Sequence, residues 1–159
     1  MFAFFAMSMR KQGSKEGEIV ARTVGGFFIG FLTTMVVVIL CQSLNLMVYP
    51  LPEGLDPSNT EELAAHVANS PTGAFLGILA SYFFGCFAGG AVATRISQKP
   101  AIGLSIGVAL MLGGFSNLSR IDHPIWFALA STALYIPSAW LGSQAARKRL
   151  AQDAENQKT

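Results

Sequence analysis

Four runs of uncharged, largely apolar sequence dominate this chain, each long enough to cross a lipid bilayer. They cover residues 23–44 ("TVGGFFIGFLTTMVVVILCQSL"), 72–94, 101–118 ("AIGLSIGVALMLGGFSNL") and 124–146 ("PIWFALASTALYIPSAWLGSQAA"). A membrane span takes about 20 residues, with roughly 17–25 tolerated. Lipid offers the backbone no hydrogen-bond partner, so each run is expected to be a helix. Four buried helices of a soluble fold are the competing reading. In 159 residues they would leave too little chain to cover them. Charged residues make up 13% of the chain, against about 25% in soluble domains, which favours the membrane. The expected fold is an all-α, polytopic membrane protein with four transmembrane helices.

The remaining charges orient these helices. Arg10, Lys11, Lys15 and Arg22 precede the first run, Arg95 and Lys99 lie between the second and third, and Arg147, Lys148 and Arg149 follow the fourth. Residues 45–71 hold no Lys or Arg but carry Glu53, Asp56, Glu61 and Glu62. Lysine and arginine stay on the cytoplasmic side, so both termini are expected there. The chain then divides into a cytoplasmic segment 1–22, a transmembrane domain 23–146 with an outer loop 45–71, and a cytoplasmic tail 147–159. A second outer link covers 119–123. The bacterial inner membrane is the expected location and the lipid bilayer the first partner. A net charge of +2, without a basic stripe, points away from a nucleic-acid partner.

Small residues fall on every fourth position of the second run: Gly73, Gly77, Ser81, Gly85, Gly89 and Ala93. Positions four apart share one helix face. In lipid, helices associate through close backbone contact, which small residues permit. The first run repeats the device with Gly26 and Gly30, followed by Thr34, and the third with Gly103 and Gly107. Two readings follow. The grooves pack the four helices against one another, or one groove is left for a partner chain, in a homo-oligomer or a larger membrane complex.

Pro137 lies inside the fourth run and removes one helical hydrogen bond, a kink or a hinge. Trp126 and Trp140, near opposite ends of that run, suit the membrane interfaces, as does Tyr49 after the first run. Phe2, Phe4 and Phe5 precede the first basic cluster. They suit either an interfacial segment or a frayed terminus. Cys41 and Cys86 lie in apolar runs at different depths, too far apart for a disulfide.

In the outer loop, Ser58 and Glu61 match a capping box. A short amphipathic helix is expected from about Asn59 to Ala68, lying on the outer surface of the bundle with Leu63 and Val67 facing down. Ser70 and Pro71 would then end that helix and start the second span, as N-cap and first-turn proline. His66, Asp122 and His123 all fall on this side and are the weak candidates for a metal site. They come from separate loops, without ligand spacing such as His-x-x-x-His. No Asp, Glu, Lys, Arg or His lies within the four runs, which counts against an ion-coupled transporter. No catalytic or phosphate-cradling motif is present, so neither a catalytic residue nor a cofactor is expected.

The segments "YPLPEGLDPSNTEELAAHVANSPTGAF", "GGAVATRI" and "IDHPIWF" resemble a set of small, uncharacterised four-helix bacterial membrane proteins with a Y-P-x-P-x-G-x-D-P outer loop. The likeness covers about Leu46 to Trp140 and implies architecture alone. The functional expectation is therefore a non-catalytic accessory or self-associating membrane component. A passive transporter or channel component hinged at Pro137 is the alternative. A membrane enzyme or metal site at His66, Asp122 and His123 is a third reading.

Overall fold

The computed structural model describes residues 2–56, 58–120 and 123–157, with side chains from Lys15 onward. Five helices follow in order: α1 (Phe2–Val48), α2 (Thr60–Asn69), α3 (Thr72–Ser97), α4 (Pro100–Leu118) and α5 (Ile125–Asn156). No strand occurs among the described residues. Four of the helices are long and apolar enough to cross a membrane, and α2 is the exception.

α3 is the central element: α1, α4 and α5 all pack on it, α4 also packs on α5, and α1 reaches α4 only lightly. α3 and α5 run parallel, as their successive contacts show. Phe75 meets Phe127 near their first turns, Tyr82 meets Tyr135 midway, and Arg95 reaches Asp153 at the far end. The bundle therefore has an α2 end and an arginine end.

α1 extends further than the apolar run. Residues 2–22, expected to be a separate segment with an interfacial or frayed start, continue the helix without a break. The sequence there has no proline and is rich in Ala, Met, Lys and Glu, all strong helix formers. A Glu18–Arg22 pair at 2.9 Å supports the helix one turn before the span. Such exposed pairs contribute about 0.3–0.5 kcal/mol.

The turn from α3 to α4 is fixed by its own hydrogen bonds. Gln98 takes the left-handed conformation at φ 58° and donates its N–H to the Thr94 carbonyl, at 2.8 Å. This is the usual way to stop a helix, although glycine is the common residue there. Ser97 Oγ donates to the Ala93 carbonyl at 2.6 Å and accepts from the Lys99 N–H at 3.2 Å. Pro100 then opens α4, where its missing N–H costs nothing.

The cap of α2 differs from the expected one by a residue. Asn59, not Ser58, is the N-cap, and its side-chain oxygen accepts from the Glu61 and Glu62 N–H groups. Glu62 closes the box by accepting from Asn59 Nδ2 at 2.8 Å, and also from the Asp56 N–H at 3.2 Å. Ser58 instead donates its hydroxyl and its N–H to Asp56 Oδ1, at 2.7 and 2.9 Å. Those bonds, the hydroxyl first, hold the Asp56 carboxyl below its ordinary range. Ser70 closes α2 as expected, but Pro71 rather than Ser70 takes the cap position before Thr72. Asparagine outcompetes serine here because Asp56 already engages the Ser58 hydroxyl.

Candidate functional site

The small residues of α3 meet α1 along their length. A Cβ built on Gly73 runs into the Tyr49 hydroxyl, on Gly77 into Asn45, and on Gly89 into Thr34 Oγ1. At Gly85 the nearest atoms belong to Val38 and Thr34. From the other side, a Cβ on Gly30 would lie 2.6 Å from Ala93 Cβ and 2.7 Å from the Gly89 carbonyl oxygen. Gly26 faces Ala93 and Ser97 at 3.0 Å. Asn45 Nδ2 donates to the Ala74 carbonyl at 3.0 Å and ties the two helices near the α2 end. Ser81 is buried, and its hydroxyl donates to the Ile78 carbonyl. Tyr49 is thus half-buried on α3.

A second seam joins α3, α4 and α5. A Cβ on Gly90 would meet the Ala139 backbone, with the carbonyl oxygen at 2.6 Å; on Gly142, the Phe87 backbone, with Cα at 3.0 Å. Gly107 faces the Tyr135 carbonyl oxygen at 2.7 Å and Ala139 Cβ at 2.9 Å. Gly103 faces the Ser143 and Thr94 hydroxyls and the Gly90 carbonyl. Cys86, Tyr135 and Ala139 form the core between these helices, with Cys86 fully buried. Both cysteine thiols are free.

The buried hydroxyls do not line a path. Thr34, Ser81, Ser97, Ser131, Ser138 and Ser143 each donate to a carbonyl three or four residues back on the same helix. A hydroxyl used this way offers little to a passing solute. Thr94 is the exception: its Oγ1 is the one buried side-chain polar atom without a hydrogen bond among the described residues. An unpaired buried hydroxyl costs about 1–3 kcal/mol. Replacing Thr94 by the similarly shaped Val is therefore expected to stabilise the bundle by about 1 kcal/mol, raising Tm by roughly 2–4 °C in detergent. An unchanged or lowered Tm would show that the hydroxyl is needed where it is.

The α2 end holds a cavity of about 390 Å³, and His66 and His123 both line it. Leu63 and Val67 of α2 border it on one side, Asn45 and Tyr49 on a second, and Phe75 and Ile78 on a third. No Cα of α2 comes within 8 Å of another helix among the described residues, so α2 stands off the bundle and leaves this space. Phe75 packs against Phe127 at 5.1 Å and Trp126 at 5.7 Å, while the His123 ring stacks on Phe127 at 5.4 Å. Asp122, the third member of the candidate metal cluster, lies outside the described residues. Among the described residues no three His, Cys, Asp or Glu side chains converge as metal ligands.

Pro137 is exposed, and α5 continues through it as a single helix. The buried positions of α5 are Phe127, Ser131, Tyr135, Ser138, Ala139, Gly142, Ser143 and Ala146, so the proline points away from the seam. Sequence reasoning missed this small-residue face. Its signal is the spacing Ser138, Gly142, Ala146, four apart, which the larger residues around Pro137 obscure.

Four long apolar helices define the class: an all-helical chain with four helices long and apolar enough to cross a membrane. Compared with known families, curated proteins and solved structures, the chain finds no match.

Proposed function

We propose that this chain is a non-catalytic integral component of the bacterial inner membrane, with both termini cytoplasmic, that serves larger assemblies or copies of itself. In this reading the small-residue stripes hold the four spans together, and the arginine end is the cytoplasmic end. The amphipathic α2 then lies on the outer face, with Leu63 and Val67 toward the cavity. The observation that carries the reading is the closed polar chemistry of the interior. Among the described residues no carboxylate, amine or imidazole is buried between the helices, and the buried serine and threonine hydroxyls, Thr94 apart, are bonded to their own helix's backbone. A transporter needs a polar route, and ion coupling usually needs a charge at depth.

Native mass spectrometry of protein extracted at low detergent, with co-purifying proteins identified, tests this. A stoichiometric larger partner or a closed homo-oligomer is the expected result. A bare monomer that carries solute into liposomes would overturn it in favour of a passive transporter.

A further inference from the structure

At the arginine end, α3 and α5 leave a groove between them of about 250 Å³. Phe87 lies at its far end, Ala91, Ala145 and Ala146 line it, and Arg95 and Arg149 stand at its mouth. The two helices build it with the same device. Each carries an alanine followed four residues later by an arginine, Ala91–Arg95 and Ala145–Arg149, and positions four apart share a face. Because the helices run parallel, both guanidinium groups come to the same end. From Phe87 to Arg95 the groove extends about 12 Å along the axis, at a rise of about 1.5 Å per residue.

We propose that this groove binds one anionic phospholipid, its acyl chain along the alanines and its phosphate between Arg95 and Arg149. The proposal rests on the membrane-embedded reading of the chain. Three observations choose this occupant. The groove is apolar until its last turn, so a free phosphate would leave most of it empty. Its volume of about 250 Å³ is too small to take in a partner helix, whose diameter is about 10–12 Å. The charge at its mouth is unsatisfied: Arg95 meets Asp153 only at 3.8 Å, both side chains being 58% exposed, and Arg149 has no carboxylate partner among the described residues. Two arginines and one aspartate leave a net +1, which matches a headgroup of net −1 and not a zwitterion. Basic pockets between spans are a recurrent way to hold anionic headgroups, and the bidentate guanidinium suits phosphate.

The test is native mass spectrometry of protein released from bilayers of equal phosphatidylglycerol and phosphatidylcholine. The wild-type chain is expected to retain one phosphatidylglycerol, at least tenfold over phosphatidylcholine. The double variant R95Q/R149Q is expected to lose that preference to within twofold. Ala91→Phe keeps both charges but fills the groove, and is expected to lose the retained lipid as well. Asp153→Asn removes the competing carboxylate and is expected to raise retention. Equal retention of the two lipids by the wild-type chain would overturn the proposal. So would undiminished retention by Ala91→Phe, which would reduce the site to surface charge. Displacement by millimolar inorganic phosphate would mark a soluble-anion site instead. A chain that inserts but shows no lipid preference fails this proposal alone, whereas one that does not insert fails the membrane reading itself.

Discussion

Leucine at Gly30 will separate α1 from α3 and cost the bundle about 3 kcal/mol, the upper end of what overpacking does. The Cβ alone would lie 2.6 Å from Ala93 Cβ and 2.7 Å from the Gly89 carbonyl oxygen. Neither obstacle has a rotamer to adopt: one is a methyl group fixed to its helix, the other is backbone. Relief requires moving α1 as a body. α1 has little else to hold it, because it packs chiefly on α3 and only lightly on α4. Gly25→Leu is the matched control. It makes the same change of helix propensity one turn earlier, at a position where a Cβ meets nothing within 4 Å. Its expected effect is within about 0.5 kcal/mol. Unfolding by titration with a denaturing detergent measures both. Equal destabilisation by the two variants would mean that leucine itself, not the seam, is at fault, and a neutral Gly30→Leu would remove the glycine stripe from the account of how α1 is held.

The reach of sequence reasoning divides along physical lines. The four long helices were legible because lipid leaves a backbone no alternative, so length and absence of charge suffice. The α3 stripe was legible because six small residues at strict four-residue spacing rarely serve anything but a close helix contact. Its partner was not. Gly26, Gly30 and Thr34 stood out by the same spacing, but nothing in "TVGGFFIGFLTTMVVV" says that this stripe, rather than Gly103 and Gly107 of the third run, lies against Gly85 and Gly89. The face of α5 stayed hidden for a related reason. Tyr135 interrupts its run of small residues, and Tyr135 is itself buried, its ring filling the space over Gly114. The cap of α2 moved by one residue because two candidate oxygens, on Ser58 and Asn59, compete, and Asp56 engages the first. His66 and His123 were correctly assigned to one end but come from segments far apart in sequence. That they line the same cavity follows from how far α2 stands off the bundle, and no spacing rule carries that distance.

The second large effect concerns the other seam, and Cys86 reports it. Leucine at Gly142 drives into the Phe87 backbone, whose carbonyl carbon and Cα lie 2.8 and 3.0 Å from an added Cβ. α5 must then move away from α3 where Cys86, Tyr135 and Ala139 meet. Cys86 is fully buried, so its thiol reacts only when that contact opens. Overpacking by about 1–3 kcal/mol raises the open population by roughly fivefold to 150-fold. In a Cys41→Ser background, labelling of Cys86 by a lipophilic maleimide should therefore accelerate by about that factor in Gly142→Leu. Gly113→Leu, on the open side of α4 where a Cβ meets nothing within 4 Å, should label at the starting rate. Gly30→Leu should also leave Cys86 protected, because α1 lies on the opposite face of α3 and makes no packing contact with α5. That asymmetry separates two architectures. If only the α5 variant exposes Cys86, then α3, α4 and α5 form a self-sufficient core to which α1 is docked through glycines. If loosening α1 exposes Cys86 equally, α3 is held straight only by being gripped from both sides, and the bundle opens as one unit.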